Sequence, residues 1–270
     1  MADTATTTPA HHAGRPRRLL RAAALAAGVG LPVAALAVVV RSEVGPIVAF
    51  DEAAIRAATD LGRSDPALYD ALIAWQTAFQ AKWVNLVVSL VCLWVWRRHG
   101  LRTRALWAFI TLLVTWNLGL GAKYLVQRAR PVVEDALTRA PGYSFPSGHA
   151  MNAASAGVVL LVLVWPLLGR TGRIAITSAV VAAVALTGVD RVMLGAHYPS
   201  DVVAGIALGG AMAGAAYLGF SGLHPAAPDA AGSPDTAGSP DGARPPGAAQ
   251  PPHPAPSPAV THAPAAKHGG

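Results

Sequence analysis

The feature that most constrains this chain is a series of long apolar blocks separated by short polar segments. The first block, residues 22–40, holds 19 residues without a charge between Arg21 and Arg41. As a helix it would be roughly 28 Å long, close to the thickness of a bilayer core. Of the 270 residues, 53% are hydrophobic and 13% are charged, whereas a soluble domain has about 25% charged residues. This pattern predicts an all-α, polytopic membrane protein.

Six membrane helices can be placed on the apolar blocks. They cover about 20–40, 78–96, 105–129, 148–168, 173–190 and 199–220. The acidic stretch 41–70 is predicted to be a loop, and the third helix is expected to stop before Pro131 because a proline disfavours a helical residue ahead of it. A cleaved signal peptide is the alternative for the first block. That run continues past the possible cleavage site at residues 35–37, which favours an anchor.

The arginines predict how the helices are oriented. They cluster in the N-terminal arm, between helices two and three, and between helices four and five, at Arg15, Arg17, Arg18, Arg21, Arg97, Arg98, Arg102, Arg104, Arg170 and Arg173. With six spans these clusters share one side, so both termini are expected in the cytoplasm. The net charge of +7 is thereby explained by topology, and a nucleic-acid partner is not expected.

The predicted domain organisation has three parts. Residues 1–18 form a disordered basic cytoplasmic arm, residues 19–220 form the six-helix membrane domain, and residues 221–270 form a disordered tail. The tail contains 12 of the 22 prolines and few large apolar residues, so it cannot bury a core. The single cysteine, Cys92, rules out an intrachain disulfide.

Three polar clusters interrupt the apolar chain, at residues 123–131, 146–149 and 190–201. Polar side chains are costly in membrane segments and usually mark a functional site. With six spans, all three clusters lie at the non-cytoplasmic ends of helices three to six. The sequence therefore predicts one pocket at the outer face of the membrane.

The first two clusters carry groups that suit an anion. Lys123 and Arg130 are seven residues apart, close to two helical turns, so they share a face and can bind phosphate oxygens. Anchoring of lipid headgroups is the alternative for this pair. Ser147 can cap the fourth helix, and Gly148 allows close approach of a ligand to the backbone. The free N–H groups of this helix start also suit an anion.

The third cluster pairs His197 with Asp201 at positions i and i+4 of the sixth helix start. The carboxylate can accept the Nδ1 proton and leave Nε2 as a nucleophile. The alternative is that Asp201 only caps the helix and that His197 is a surface residue.

Together the three clusters resemble the type 2 phosphatidic acid phosphatase superfamily, or lipid phosphate phosphatases, which share their site with vanadium haloperoxidases. The family pattern is Lys, six residues, Arg-Pro; then Pro-Ser-Gly-His; then Ser-Arg, five residues, His, three residues, Asp. Every spacing is matched. One residue departs from the pattern, because Asp190 stands where the family has serine, and this puts the substrate preference in doubt.

The resemblance implies a role for each matched position. His197 attacks phosphorus to form a phosphohistidine, His149 protonates the leaving oxygen and then activates water, and Asp201 orients His197. The phosphoryl oxygens are held by Lys123, Arg130, Ser147, Gly148 and Arg191. No metal or cofactor is expected. This pairing of a neutral and a protonated histidine predicts a bell-shaped pH profile.

The expected function is that of a multi-pass membrane phosphatase acting on a lipid-linked phosphate or diphosphate. Candidate substrates are phosphatidate, phosphatidylglycerol phosphate and undecaprenyl diphosphate. A non-catalytic transporter or binding protein for anions or lipid phosphates is the alternative, although its cations should lie near mid-membrane. A haloperoxidase is less expected, because those relatives are soluble.

Overall fold

The computed structural model describes residues 14–43, 45–132 and 141–221, and within these ranges it contains eight α-helices and no β-strand. The helices are α1 (Gly14–Arg41), α2 (Pro46–Ser64), α3 (Pro66–Ala78), α4 (Ala81–His99), α5 (Arg102–Val126), α6 (Gly148–Val164), α7 (Arg170–Met193) and α8 (Pro199–Phe220). A short 3-10 turn, Trp165–Leu167, continues α6. The all-α prediction is confirmed for this part of the chain.

Five or six of the described segments are long and apolar enough to cross a membrane. Five qualify alone: α1, α5, α6 with its 3-10 turn, α7 and α8. The sixth is the pair α3 and α4, which passes the same test only when joined, across a bend of 49°. The multi-pass prediction is therefore confirmed. The second span is longer than predicted and broken near Phe79, where α3 ends.

The prediction of a loop over residues 41–70 is wrong, because most of this stretch is helical. Helix α2 begins with Pro46 in its first turn, where a missing N–H costs nothing. Its buried residues, Asp51, Ile55, Thr59 and Gly62, recur at helical spacing and form one inward stripe. The acidic residues on the other faces gave this segment the composition of a loop.

Two predicted helix ends also differ from the structure. Helix α1 begins at Gly14, so the arginines at 15, 17 and 18 lie in its first turns and not in a disordered arm. Residues 1–13 and the predicted tail from 222 onward lie outside the described residues. Helix α5 ends at Val126 because Gln127 takes a left-handed conformation. Arg41 of α1 donates to the carbonyl of Val126 at 2.7 Å, an acceptor that a helix end leaves free.

Close packing of α6 against α8 positions the polar clusters. A Cβ atom at Gly209 would lie 2.2 Å from the carbonyl oxygen of Met151, and one at Gly205 would lie 2.6 Å from that of Ser147. Only glycine allows this separation, as in other small-residue contacts between membrane helices. The backbone N–H of Ser147 consequently reaches the carbonyl of Asp201 at 2.9 Å, so the starts of α6 and α8 are joined directly.

Candidate active site

The three polar clusters converge at one end of the helix bundle. Their side chains come from the end of α5 and the following residues 127–131, from residues 141–147 and the start of α6, and from the last turn of α7. The start of α8 and the preceding turn complete the set. The convergence predicted from the sequence is therefore present in the structure.

His197 lies in the turn before α8 and is buried, with 3% of its surface exposed. Its Nδ1 atom is 3.6 Å from Asp201 Oδ2 and 3.4 Å from Ser144 Oγ. Ser144 in turn donates to Asp201 Oδ2 at 2.5 Å. The predicted pair is brought together, but 3.6 Å is too long for a good hydrogen bond between His197 and Asp201. The hydroxyl of Ser144 bridges the two side chains instead.

The tautomer of His197 follows from its other neighbour. Nε2 lies 3.3 Å from Nη1 of Arg130, and a guanidinium group can only donate. Nε2 therefore carries a lone pair, and the proton is on Nδ1, facing Ser144 and Asp201. Burial lowers the pKa of His197 to about 4, although the Asp201 carboxylate works in the opposite direction. The ring is neutral at pH 7, as a nucleophile requires.

Two further cations, Arg130 and Lys123, are oriented by backbone carbonyls. Arg130 donates to the carbonyls of Ala196 at 2.7 Å, Gly142 at 3.0 Å and Pro141 at 3.1 Å. Burial lowers its pKa, Asp201 opposes this shift, and Arg191 adds to it. Lys123 Nζ donates to the carbonyl of Tyr143 at 2.9 Å. Within the part of the chain that the structure describes, neither side chain forms an ion pair with a carboxylate, so both keep donors for the site.

The start of α6 contributes Ser147, Gly148 and His149. Ser147 does not cap the helix through its side chain, contrary to the prediction. Its hydroxyl is buried and has no hydrogen-bond partner among the described residues. A Cβ atom at Gly148 would lie 3.5 Å from Cε of Lys123, an ordinary contact distance, so the lysine lies beside the helix start. His149 is half-buried and lies in the field of Arg191, Lys123 and Arg130.

Arg191, in the last turn of α7, is paired with its neighbour Asp190. Nε donates to Asp190 Oδ2 at 2.9 Å, and Nη2 donates to the same oxygen. Both side chains are buried, and Asp190 Oδ1 has no hydrogen-bond partner. The residue that departs from the family pattern therefore pairs with Arg191.

A buried group around Arg128 was missed by the sequence reading. Arg128 donates to Asp201 Oδ1 at 2.6 Å, to Asp51 Oδ2 at 2.8 Å and to Ser200 Oγ at 2.8 Å. Ser200 donates to Asp51 through its backbone N–H at 3.0 Å and through its hydroxyl. Burial alone would lower the pKa of Arg128, but the two carboxylates outweigh it and raise the pKa. The signal available in the sequence was the helical spacing of the residues that form the buried stripe of α2, beginning with Asp51.

A polar cavity of about 620 Å³ adjoins this group. It is lined by charged side chains of α2 and by Arg128, Arg130 and Tyr198. Arg130 lines this cavity and also contacts His197, but His197 is not itself among the lining residues. Among the described residues, no group of three or more His, Cys, Asp or Glu side chains could hold a metal ion.

Comparison with known proteins gives a family match over the segment that contains the site. Residues 104–224 match the model of the PAP2 superfamily, and this range includes every predicted site residue. The resemblance noted from the motifs is thereby confirmed.

Curated relatives align with 25–32% of the chain. Phosphatidylglycerophosphatase B of Bacillus subtilis (strain 168) is 40% identical over 90 residues, 32% of this chain and 43% of that protein. Decaprenylphosphoryl-5-phosphoribose phosphatase of Mycobacterium tuberculosis is 36% identical over 90 residues, 32% of this chain and 45% of that protein. Lipid A 1-phosphatase of Rhizobium etli is 42% identical over 67 residues, 25% of each chain. The alignments span less than half of each relative.

A solved structure shares the fold. The transmembrane PAP2 type phosphatidylglycerolphosphate phosphatase from Bacillus subtilis superposes with a TM-score of 0.61 at 21% identity, covering 69% of this chain and 93% of that one. The chain therefore shares its helical fold with that structure.

Proposed function

We propose that this chain, whose residues 104–224 form a PAP2 superfamily segment, is an integral membrane phosphatase that hydrolyses a lipid-linked phosphate or diphosphate monoester through a phosphohistidine. The observation that carries the proposal is the environment of His197. Its Nε2 lone pair faces Arg130 at 3.3 Å, and its Nδ1 side faces Ser144 and Asp201. A transporter has no evident need for a histidine held in this tautomer.

In the first step, His197 Nε2 attacks phosphorus in line with the ester oxygen. The N–P bond forms as the P–O bond to the lipid breaks, and His149 gives its proton to the leaving oxygen. The Nδ1 proton stays between His197 and the oxygens of Ser144 and Asp201, which stabilise the positive charge that develops on the ring.

In the second step, water attacks the phosphohistidine. His149, now neutral, accepts a proton from the water as the new O–P bond forms and the N–P bond breaks. Inorganic phosphate leaves, and both histidines return to their starting states.

The phosphoryl oxygens are held by the cationic and polar groups around the two histidines. Lys123, Arg130 and Arg191 offset the charge of the phosphoryl group, while the unpartnered hydroxyl of Ser147 and the backbone beside Gly148 offer neutral donors. Preorganised donors of this kind are effective because they need no reorganisation during the reaction.

The substrate class follows from the place of the site and from the relatives. The site lies at the ends of membrane-spanning helices, where a lipid headgroup can meet it while the hydrocarbon stays in the bilayer. The relatives carry names of phosphatases that act on phosphatidylglycerophosphate, lipid A and a decaprenyl-linked phosphate. Phosphatidate, phosphatidylglycerol phosphate and undecaprenyl diphosphate are therefore the compounds to test.

The proposed orientation places both termini in the cytoplasm and the active site outside. It is supported by the arginines of the α4–α5 and α6–α7 connections, which lie at the opposite end of the bundle from His197. A reporter that is active only outside the cytoplasm, fused after residue 99, should stay inactive. An active reporter at this position would show that the protein has the opposite orientation.

The function is tested by phosphate release from the three lipids, with the full chain purified in detergent. We expect release from at least one lipid and no release by the His197→Ala variant. A variant at Cys92, the lone cysteine buried away from the site, such as Cys92→Ala, should retain activity and controls for purification. Binding of the lipids without phosphate release would support the non-catalytic alternative.

A further inference from the structure

Asp190, the residue that departs from the family pattern, pairs with Arg191, which is a predicted ligand of the phosphate. Both Nε and Nη2 of Arg191 donate to its Oδ2 atom. A serine hydroxyl at this position could orient the guanidinium group but would bring no charge. The consequence of the substitution is therefore electrostatic, and it rests on the proposed role of Arg191 in holding a phosphoryl group.

The side chains around the site differ in charge, and their charges can be added. Lys123, Arg130 and Arg191 supply three positive charges around His149. Arg128 with Asp51 and Asp201 forms a buried group with one net negative charge. Among the described residues and without Asp190, these groups carry a net charge of two positive units, which matches the charge of roughly −1.5 to −2 on a phosphate monoester at pH 7.

Asp190 lowers this net positive charge by one unit. With its carboxylate ionised and held by Arg191, the site keeps one net positive charge and is undercharged for a phosphoryl dianion. Both side chains are buried, so solvent screens the interaction less than it would at an exposed surface. The pairing leaves Nη1 of Arg191 without a bond to Asp190, so the arginine can still donate to phosphate oxygens.

We propose that Asp190 is a specificity-determining residue that weakens the binding of phosphoryl dianions, inorganic phosphate included. The enzyme then releases phosphate more readily than a form with serine at this position. Because the transition state and the product are both held by Arg191, removal of the carboxylate should tighten product binding without creating a new contact.

The experiment compares Asp190→Ser and Asp190→Asn with the original chain, each as the full chain in detergent at one pH and ionic strength. Binding of inorganic phosphate is measured by calorimetry, which does not depend on turnover. We expect the dissociation constant to fall about tenfold in both variants, since one charge is removed at short range in a partly screened site. Asp190→Asn keeps the size of the side chain, which protects the test if the serine variant folds poorly.

A neutralised acid away from the site provides the matched control. Asp70 on α3 is exposed, and Asp70→Asn should leave phosphate binding unchanged. Inhibition of lipid hydrolysis by phosphate should strengthen in the two Asp190 variants in parallel with the calorimetric result.

Two results would overturn the inference. Unchanged phosphate affinity in a folded Asp190→Asn variant would show that the carboxylate has no electrostatic effect on the anion. Weaker affinity in both variants would show that Asp190 serves to orient Arg191. Phosphate binding that follows our expectation in a chain that hydrolyses none of the lipids would instead refute the proposed function alone.

Discussion

Ser144 shows how the proposed catalytic pair is assembled at the scale of single residues. The sequence motifs identify His197 and Asp201, but their side chains are 3.6 Å apart and the hydroxyl of Ser144 lies against both. This serine precedes the second motif by two residues and has no signature of its own. Its role depends on the backbone N–H of Ser144 donating to the carbonyl of Arg128 at 2.9 Å, a contact that no local pattern predicts.

Replacement of Ser144 by alanine should lower kcat. The change leaves one oxygen of buried Asp201 without its short hydrogen bond and frees the His197 ring to rotate. A lost buried hydrogen bond costs about 1–3 kcal/mol, so a decrease of about tenfold or more in kcat is expected with little change in KM. Ser42→Ala, at an exposed position, is the control. If steady-state kinetics give Ser144→Ala the same kcat as the original chain, that result contradicts the assigned role.

The pH profile should report the environment of His197. An ordinary histidine has a pKa of about 6.5, whereas burial lowers the pKa of His197 to about 4. Its neutral form therefore persists as the pH falls to about 4, and protonation inactivates it only below that value. We expect the enzyme's acid limb of kcat/KM, corrected for substrate ionisation, to lie near pH 4. An enzyme limb at pH 6.5 would mean that His197 is not desolvated.

At the scale of elements, α2 is the main difference between the sequence reading and the structure. Its acidic residues suggested a loop, yet the first residue of its buried stripe, Asp51, joins α2 to Arg128 and to Ser200 of α8. The local spacing of that stripe was visible in the sequence. Its partners lie 77 and 149 residues away, so the contact itself could not be predicted from local pattern.

Removal of the Asp51 carboxylate should destabilise the protein. Asp51 is fully buried and paired with Arg128, so Asp51→Ala leaves a buried cation with one of its two partners missing. Breaking a buried ion pair costs about 3–5 kcal/mol, and a clear decrease in melting temperature is expected. Asp60→Ala on the same helix is the control, because the Asp60 side chain is 71% exposed. Equal melting temperatures for the two variants in detergent would contradict this account of α2.

The contact between α6 and α8 offers a second test at this scale. A Cβ atom at Gly209 would meet the carbonyl oxygen of Met151 at 2.2 Å, whereas one at the neighbouring Gly210 would meet nothing within 4 Å. Gly209→Ala should push the helices apart and separate Ser147 from Asp201. We expect a lower melting temperature and a decrease in activity of about tenfold or more. Gly210→Ala should retain both. Similar loss in the two variants would point to a general effect of helix substitution.

At the scale of the whole molecule, the apolar blocks and the arginines describe most of the architecture. Predicted and observed bounds of the last three spans agree within three residues, because α6, α7 and α8 are continuous apolar helices. The second span could not be predicted as well, since its bend at residues 79–80 depends on contacts outside it. One such contact is the Trp75 indole, which donates to Thr187 of α7 at 3.3 Å.

The three motifs identified eight site residues, because the spacing of residues within each motif is set by local geometry. Lys123, Arg130 and the two histidines are all brought to one end of the bundle. The groups that hold them in place, Ser144, Asp51 and Arg128, come from segments that the motifs do not specify or specify only in part. The sequence thus predicted which residues converge better than it predicted the groups that hold them in place.

Phosphorylation of His197 during turnover is tested by trapping the intermediate. The full chain is mixed with a lipid substrate labelled with ³²P at the terminal phosphate and quenched within one turnover. We predict protein-bound label that is stable in alkali and labile in acid, as a phosphohistidine is, in the original chain. The His197→Ala variant should carry none. Phosphate release without any protein-bound label at any quench time, or label that persists in His197→Ala, would contradict the account.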